Sequence, residues 1–435
     1  MTLKLGTSKI DITPSVPLEL AGFAHRKGPF SGIEKPLFLK VFYFEKEGAR
    51  SEKDTIIMVT ADLIWWDEEQ CKQIEKLIEN ELKTSDFTIV FHATHNHSGP
   101  QTSSNFTRFL GAPEPRYLEN LNTQVLIAIR SAVQNLEPVT LSRGSTTCNI
   151  GINRRLKSEF QVSMAPNKEG PVDPDVTILA AENSTGSIKG VMVHYTCHPT
   201  VTGDNYISSE FPGVATEEIE RALGEKVVAG YFQGCCGDIR PGLIDKEKNE
   251  FYRGNQTDVQ RLGQQLADQV IKAIDENKLE PINVEYMQIQ KRSVPLKFEK
   301  IPSIDQLRCM KDSLTKDEHI VWQTFLLENQ NRLIPEATLK LVLVEFGEDL
   351  SFLTMNGEMV VDYGLFIKKE FSNNVLPLPY SNGMIGYIPT SQQIIEGGYE
   401  SKEWIYFFGV PSHFSRSIEE NIQLGIRELM MKGDC

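Results

Sequence analysis

The sequence predicts an α/β protein built of layered mixed β-sheets with flanking helices. Short apolar runs at 37–44, 55–62 and 188–195 have the length and content of buried strands. Segments at 67–82, 116–136 and 255–276 are longer and read as helices. The order strand, turn, strand, helix, strand then occurs three times, without visible identity between the copies.

Taken in order, residues 3–13 alternate as a strand and stop at Thr13-Pro14. A loop covers Ala21 to Arg26. Strands follow at 37–44 and 55–62, with a charged turn at 46–54. Asp67 opens a helix to about Leu82, with Cys71, Ile74 and Leu77 on one face. The apolar run 87–91 is the next strand. A Ser-, Asn- and Pro-rich loop (98–115) leads to an amphipathic helix at 116–136. Beyond it lies a mixed segment containing Ile152-Asn153-Arg154-Arg155.

The pattern returns with strands at 176–181 and 188–195 and a turn at 182–186. A helix at 211–223 tolerates Pro212 in its first turn. A strand at 227–232 ends in Gln233-Gly234-Cys235-Cys236-Gly237-Asp238. In the helix 255–276, Leu262, Leu266, Val270 and Ile274 mark the buried face. Strand-like sequence covers 283–298. Residues 303–333, capped by Ser303, are expected to be a helical insertion or lid. The third copy has strands at 339–346 and 351–355, a helix at 359–371 and a short strand at 384–388. A last helix spans 413–432.

Composition narrows the function. The chain has 435 residues and a net charge of −14, which argues against nucleic acid or an anionic membrane as partner. No apolar run approaches the roughly 18–20 residues that span a bilayer. The first residues enter a strand pattern at once, with no charged, apolar and cleavage regions, so a cytoplasmic address is expected. Seven cysteines without a C-x-x-C pair are expected to be free thiols.

Polar residues gather at the carboxyl ends of the apolar strands, the edge where open α/β sheets bind ligands. His95 and His97 come first, then His198 and Asp238, then Glu358 and Tyr387. In an extended chain His95 and His97 share a face and His92 faces away. Two such imidazoles begin a metal or catalytic site. Five of the eight histidines fall in two short stretches, 92–97 and 194–198, and His194, inside its strand, reads as a packing residue. Two histidines and a glutamate, His95, His198 and Glu358, form a set that suits Zn2+ and leaves a position for water. Cys197 and Cys235 lie beside motif residues but read as packing. Asp62 and Asp238 are candidates to orient the histidines.

These pieces resemble the neutral (non-lysosomal) ceramidases and their bacterial relatives. The likeness lies in Gly6 to Pro14, Ala21-Gly22-Phe23, Thr60 to Leu63 and Thr94 to Pro100. It continues in Asn153-Arg154, His198-Pro199-Thr200, Gly237-Asp238 with Pro241, and Asn356-Gly357-Glu358. Gly386 to Thr390 and Gly398-Tyr399-Glu400 complete it. The resemblance implies one catalytic zinc held by His95, His198, Glu358 and Tyr387. It also implies that His97 faces substrate as acid/base, with Arg154 and Tyr399 at the substrate or oxyanion.

Three departures qualify the substrate. Arg240 stands where the family has a serine, so zinc-bound water is the expected nucleophile, and Arg240 and Asp238 are read as substrate-binding. No secretion or membrane signal is seen. The chain is expected to be a single catalytic domain, 1–435, without the family's carboxyl-terminal β-sandwich. The expectation is a zinc-dependent amidohydrolase acting on an N-acyl bond of a small, polar or anionic molecule. A zinc esterase, or a non-catalytic binding protein on the same scaffold, is the alternative; ceramide is the less favoured substrate.

Overall fold

Three units of hairpin, helix and parallel strand carry the architecture of the computed structural model, which describes residues 2–47, 53–310 and 314–431. The first runs Phe38–Glu47, Lys53–Ala61, helix Glu68–Leu82 and Thr88–Ala93. The second runs Asp175–Asn183, Ile188–Tyr195, helix Glu210–Leu223 and Val228–Gln233. The third runs Glu336–Phe346, Ser351–Met355, helix Val361–Glu370 and Val375–Leu378. In each, the first two strands are antiparallel and the last two parallel. A parallel neighbour cannot be reached by a tight turn, so each unit needs its helical crossover.

The first two units share a nine-stranded sheet. From one edge its order is Val228–Gln233, Ile188–Tyr195, Asp175–Asn183, Glu137–Thr147, Leu3–Asp11, Phe38–Glu47, Lys53–Ala61 and Thr88–Ala93, with Glu280–Pro281 added on Glu137–Thr147. The sheet folds over so that its ends meet. Thr60 Oγ1 donates to Tyr231 O at 2.6 Å, and Gln233 N donates to His92 Nε2 at 2.8 Å. The third unit sits in a four-stranded sheet with Met287–Lys297. Phe346 and Phe352 of this sheet pack against Phe42, Phe44 and Phe232 of the first. The mixed, layered α/β class is as expected.

Several boundaries differ from expectation. In the helix Glu68–Leu82, Leu77 is exposed and Ile78 takes its place in the core. The third unit closes with Val375–Leu378, not with 384–388, of which only Tyr387–Ile388 is a strand. Pro377 disguises that strand; it is tolerated because the strand lies at the sheet edge. The mixed segment holds three strands, Glu137–Thr147, Gly151–Lys157 and Val162–Asn167.

The turn expected at 46–54 falls mainly outside the described residues, as do Cys435 and residues 311–313 and 432. The described part of 303–333 forms helices Ile304–Met310 and Asp317–Glu328, tied down where Trp322 Nε1 donates to Val410 O at 2.7 Å. The six described cysteines are free thiols, five of them buried. No described helix is long and apolar enough to cross a membrane.

Candidate functional site

The strand Thr88–Ala93 stops two residues before His95. His95 has φ +63°, a left-handed conformation that costs an L-residue roughly 1–2 kcal/mol. Neighbouring hydrogen bonds hold the turn: Thr94 N to Ala61 O at 2.9 Å and Asn96 N to Leu63 O at 3.0 Å. Strand alternation therefore does not place His95 and His97. The turn does, setting their rings edge to face with Nε2 atoms 3.2 Å apart. His92, still within the strand, faces away. Its Nε2 accepts from Gln233 N, so its Nδ1 carries the proton toward Ser381 Oγ, 3.0 Å away.

Tautomers at the centre follow from the same reasoning. His95 Nδ1 lies 2.9 Å from Ile64 O, and His198 Nδ1 lies 2.7 Å from Ile239 O. A carbonyl only accepts, so both Nδ1 atoms carry protons and both Nε2 atoms present lone pairs. Those Nε2 atoms are 3.2 Å apart, and Glu358 Oε1 stands 3.1 Å from one and 2.9 Å from the other. All three side chains are buried. Tetrahedral ligand atoms around zinc lie about 3.3–3.4 Å from one another, given bonds of about 2.0–2.1 Å. Three converging acceptors at nearly this spacing fit a cation.

His95, His97 and His198 also bring ligand atoms within 4.8 Å of one another, so a three-histidine set is the other arrangement that can hold a metal. Burial alone would raise the Glu358 carboxyl, but the charge and hydrogen bonds that His95 and His198 offer in their protonated forms outweigh it and hold the group below the usual carboxylate range. Burial pushes His198 down to about 4, against the pull of Glu358.

Tyr387 arrives by strand pairing. Tyr387–Ile388 runs parallel to Glu358–Met359 with Tyr387 opposite Glu358. Its hydroxyl accepts from Arg154 Nη2 at 3.1 Å, and Tyr399 stands edge-on at 5.4 Å between ring centroids. Burial keeps both phenols protonated well above neutral pH. Arg154 is fixed by Glu400, whose Oε1 accepts from its Nε at 2.7 Å while Oε2 accepts from Arg155 Nη1 at 2.7 Å.

A cavity of about 680 Å³ is lined by residues that include His97, Arg154, Tyr387, Tyr399, Arg240 and Arg253; His95, His198 and Glu358 are not part of its lining. Gly22, at φ +92°, forms part of the wall; a Cβ there would strike His97 Nδ1. A second cavity, about 460 Å³, contains none of the predicted site residues.

Asp238 does not reach the lining. It is buried, with Oδ1 accepting from Val361 N at 2.8 Å and Oδ2 from Asn153 and Gln393. Neither Asp238 nor Asp62 orients a histidine; the backbone carbonyls of Ile239 and Ile64 do so instead. His194 packs in the core with Nε2 2.9 Å from Pro377 O.

Residues 3–266 match the family described as neutral/alkaline non-lysosomal ceramidase, N-terminal. The chain belongs to this family. It is 25% identical over 254 residues to neutral ceramidase of Pseudomonas aeruginosa, a match covering 55% of this chain and 37% of that protein. The crystal structure of that ceramidase superposes with a TM-score of 0.76 at 17% identity, over 99% of this chain and 74% of the other. A ceramidase in complex with C2 gives 0.75 at 16%, over 98% and 74%. These likenesses extend the ceramidase fold past residue 266, over the third unit, which holds Glu358, and the segment after it, which holds Tyr387.

Three site residues carried no signal of role in the sequence. Glu400 sits beside Tyr399 but has no neighbour in sequence that reveals its pairing with Arg154. Tyr380 stacks on His95, with centroids 4.0 Å apart at 24°. Arg253 lies in a polar stretch and meets the cavity only through folding.

Proposed function

We propose that this chain is a zinc-dependent hydrolase that cleaves an amide, N-acyl, bond in a small polar molecule. The observation that carries the reading is the convergence of His95 Nε2, His198 Nε2 and Glu358 Oε1 within 3.2 Å of one another. These three residues would hold the ion, with Tyr387 as the fourth group. When bound, zinc polarises a carbonyl and lowers the pKa of water from about 15.7 to about 7.

The protein's own part follows from its geometry. Arg154 stays charged, its burial outweighed at neutral pH by the Glu400 carboxylate it pairs with. With the protonated Tyr399 it donates toward the carbonyl oxygen as negative charge builds there. His97 lines the cavity, and its Nδ1 has no hydrogen-bond partner among the described residues. Its Nε2, 3.2 Å from His95 Nε2, is the ring atom that faces the centre, and it takes the proton from the attacking water and returns it to the leaving amine. Ceramide, the substrate class that the relatives' names imply, fits less well because Arg240 places a cation in the cavity wall. The same donors serve an ester. Arg240 at the family's serine position also favours a second reading, a binding protein that does not cleave its ligand.

The test is metal content by mass spectrometry together with turnover of a panel of N-acyl compounds. One zinc per chain is expected, and Glu358→Gln and His198→Ala should lose both zinc and turnover while remaining folded. Turnover that survives in both variants, or a metal-free active protein, would sink the proposal. Zinc with tight binding but no cleavage selects the binding-protein reading.

A further inference from the structure

We infer that Arg240 and Arg253 form an oxyanion subsite in the cavity wall, so that the substrate is an amide carrying a carboxylate or similar oxyanion a few bonds from the cleaved bond. This rests on the amide-hydrolase reading and adds the substrate class to it.

The guanidiniums in and behind the cavity wall differ in how they are satisfied; Arg26 is not part of the lining. Arg154 has its buried carboxylate, Glu400. Arg26 spends its donors on the carbonyls of Ala21, His97 and Asp204. Arg240 has neither. No ion pair reaches it among the described residues, and its Nε is buried without a partner. Arg253 likewise has no ion pair; its one side-chain contact of this kind is the 3.4 Å approach to His25 Nδ1. Among the described residues the one carboxylate lining the cavity is Glu250, which is exposed and pairs with neither arginine.

Burial, and then the like charges of Arg154 and Arg253, push Arg240 down to about 10, so it is still a cation at neutral pH. A largely buried cation facing other cations without a counter-ion is costly. An anionic ligand removes that cost.

Local geometry prepares both groups. Arg240 lies over the Phe251 ring at 4.3 Å, and Arg253 over Phe23 at 4.8 Å. Stacking uses the guanidinium faces and leaves the N–H edges for a planar oxyanion. Arg240 pairs opposite Ile152, and so shares a strand face with Arg154, two residues or about 7 Å along. The anion and the carbonyl oxygen therefore belong to one short molecule.

The test compares N-hexanoylglycine, its phosphonate analogue and the neutral N-hexanoylglycinamide. In the wild type, kcat/KM should favour the anions at least tenfold, and 0.5 M NaCl should reduce the preference. The carboxylate and phosphonate arms tell the two oxyanion sources apart. Arg240→Gln should cut the preference at least tenfold through KM, and Arg240→Lys should restore part of it. Arg253→Gln, at an exposed position, should cut it as well. A preference near one in the wild type, or one unchanged in both Gln variants, overturns the subsite. If no amide is hydrolysed, the amide-hydrolase reading fails, and calorimetry of the same compounds still decides the subsite. Binding of N-hexanoylglycine weakened tenfold or more in Arg240→Gln supports it; equal affinity for the acid and the glycinamide refutes it.

Discussion

Glu400→Gln should both destabilise the protein and slow it. The Glu400 carboxylate is 2% exposed and joins Arg154 at 7% and Arg155 at 6%. Glutamine keeps the shape and removes the charge, leaving buried Arg154 without a carboxylate and Arg155 with only the longer, 3.5 Å carboxylate contact to Glu396. Removing one partner of a buried ion pair costs about 3–5 kcal/mol. With an unfolding entropy of about 2.1 cal/mol/K per residue, that cost lowers Tm by roughly 3–6 °C for a chain of this length.

Arg154 would also lose the carboxylate that aims it at the cavity. If it acts on the oxyanion, kcat should fall at least tenfold, about 1.4 kcal/mol, with KM near the wild-type value. Arg155→Met, which leaves Arg154 paired, should lower Tm similarly with a smaller loss of kcat. The assays are thermal unfolding followed by circular dichroism and steady-state kinetics on the best N-acyl substrate. A Glu400→Gln protein within 1 °C and twofold of wild type would refute the claim that this carboxylate positions Arg154.

Gly22→Ala should cost roughly 1–2 kcal/mol from left-handed strain alone and should displace the His97 ring, so turnover falls further than stability does; turnover at the wild-type level would contradict the packing seen. EDTA should lower the wild-type Tm and leave that of Glu358→Gln unchanged, because only a competent site gains stability from its ligand; equal shifts would point to a metal elsewhere. Acid should destabilise the fold through His92 and His194, each held down to about 3 mainly by burial. Their folded pKa lies below the unfolded value of about 6.5, so their contribution is present above that pH and is lost as pH falls toward 3, on the order of several kcal/mol. The urea midpoint should decline across this window, less steeply in His92→Gln; an identical decline would exclude His92 as a source.

Local patterns carried much of the fold into view. The helix Gln256–Asp275 was legible because Leu262, Leu266 and Val270 recur on its buried face, and Asn255 caps it. Strands buried on both faces, such as Lys53–Ala61, stood out as continuous apolar runs. The strand Gly151–Lys157 did not, because its buried positions are Asn153, Arg154 and Arg155. Polar residues face inward there to build the site, and apolar periodicity is blind to them.

From the sequence alone came the α/β class, the three recurring units, the clustering of histidines at strand ends, and the family resemblance. Those are properties of spacing and residue type along one dimension. Tertiary structure decided which atoms meet. It put His95 in a left-handed turn in place of an extended strand, gave the orienting contacts to the carbonyls of Ile64 and Ile239, and withdrew Asp238 from the cavity. It also brought Glu400 to Arg154 and Arg253 to the cavity that Arg240 lines. Glu400 and Arg154 stand 246 positions apart, Ile239 and His198 41, and Ile64 and His95 31, while the His95 turn rests on a single backbone angle; no local periodicity encodes any of these.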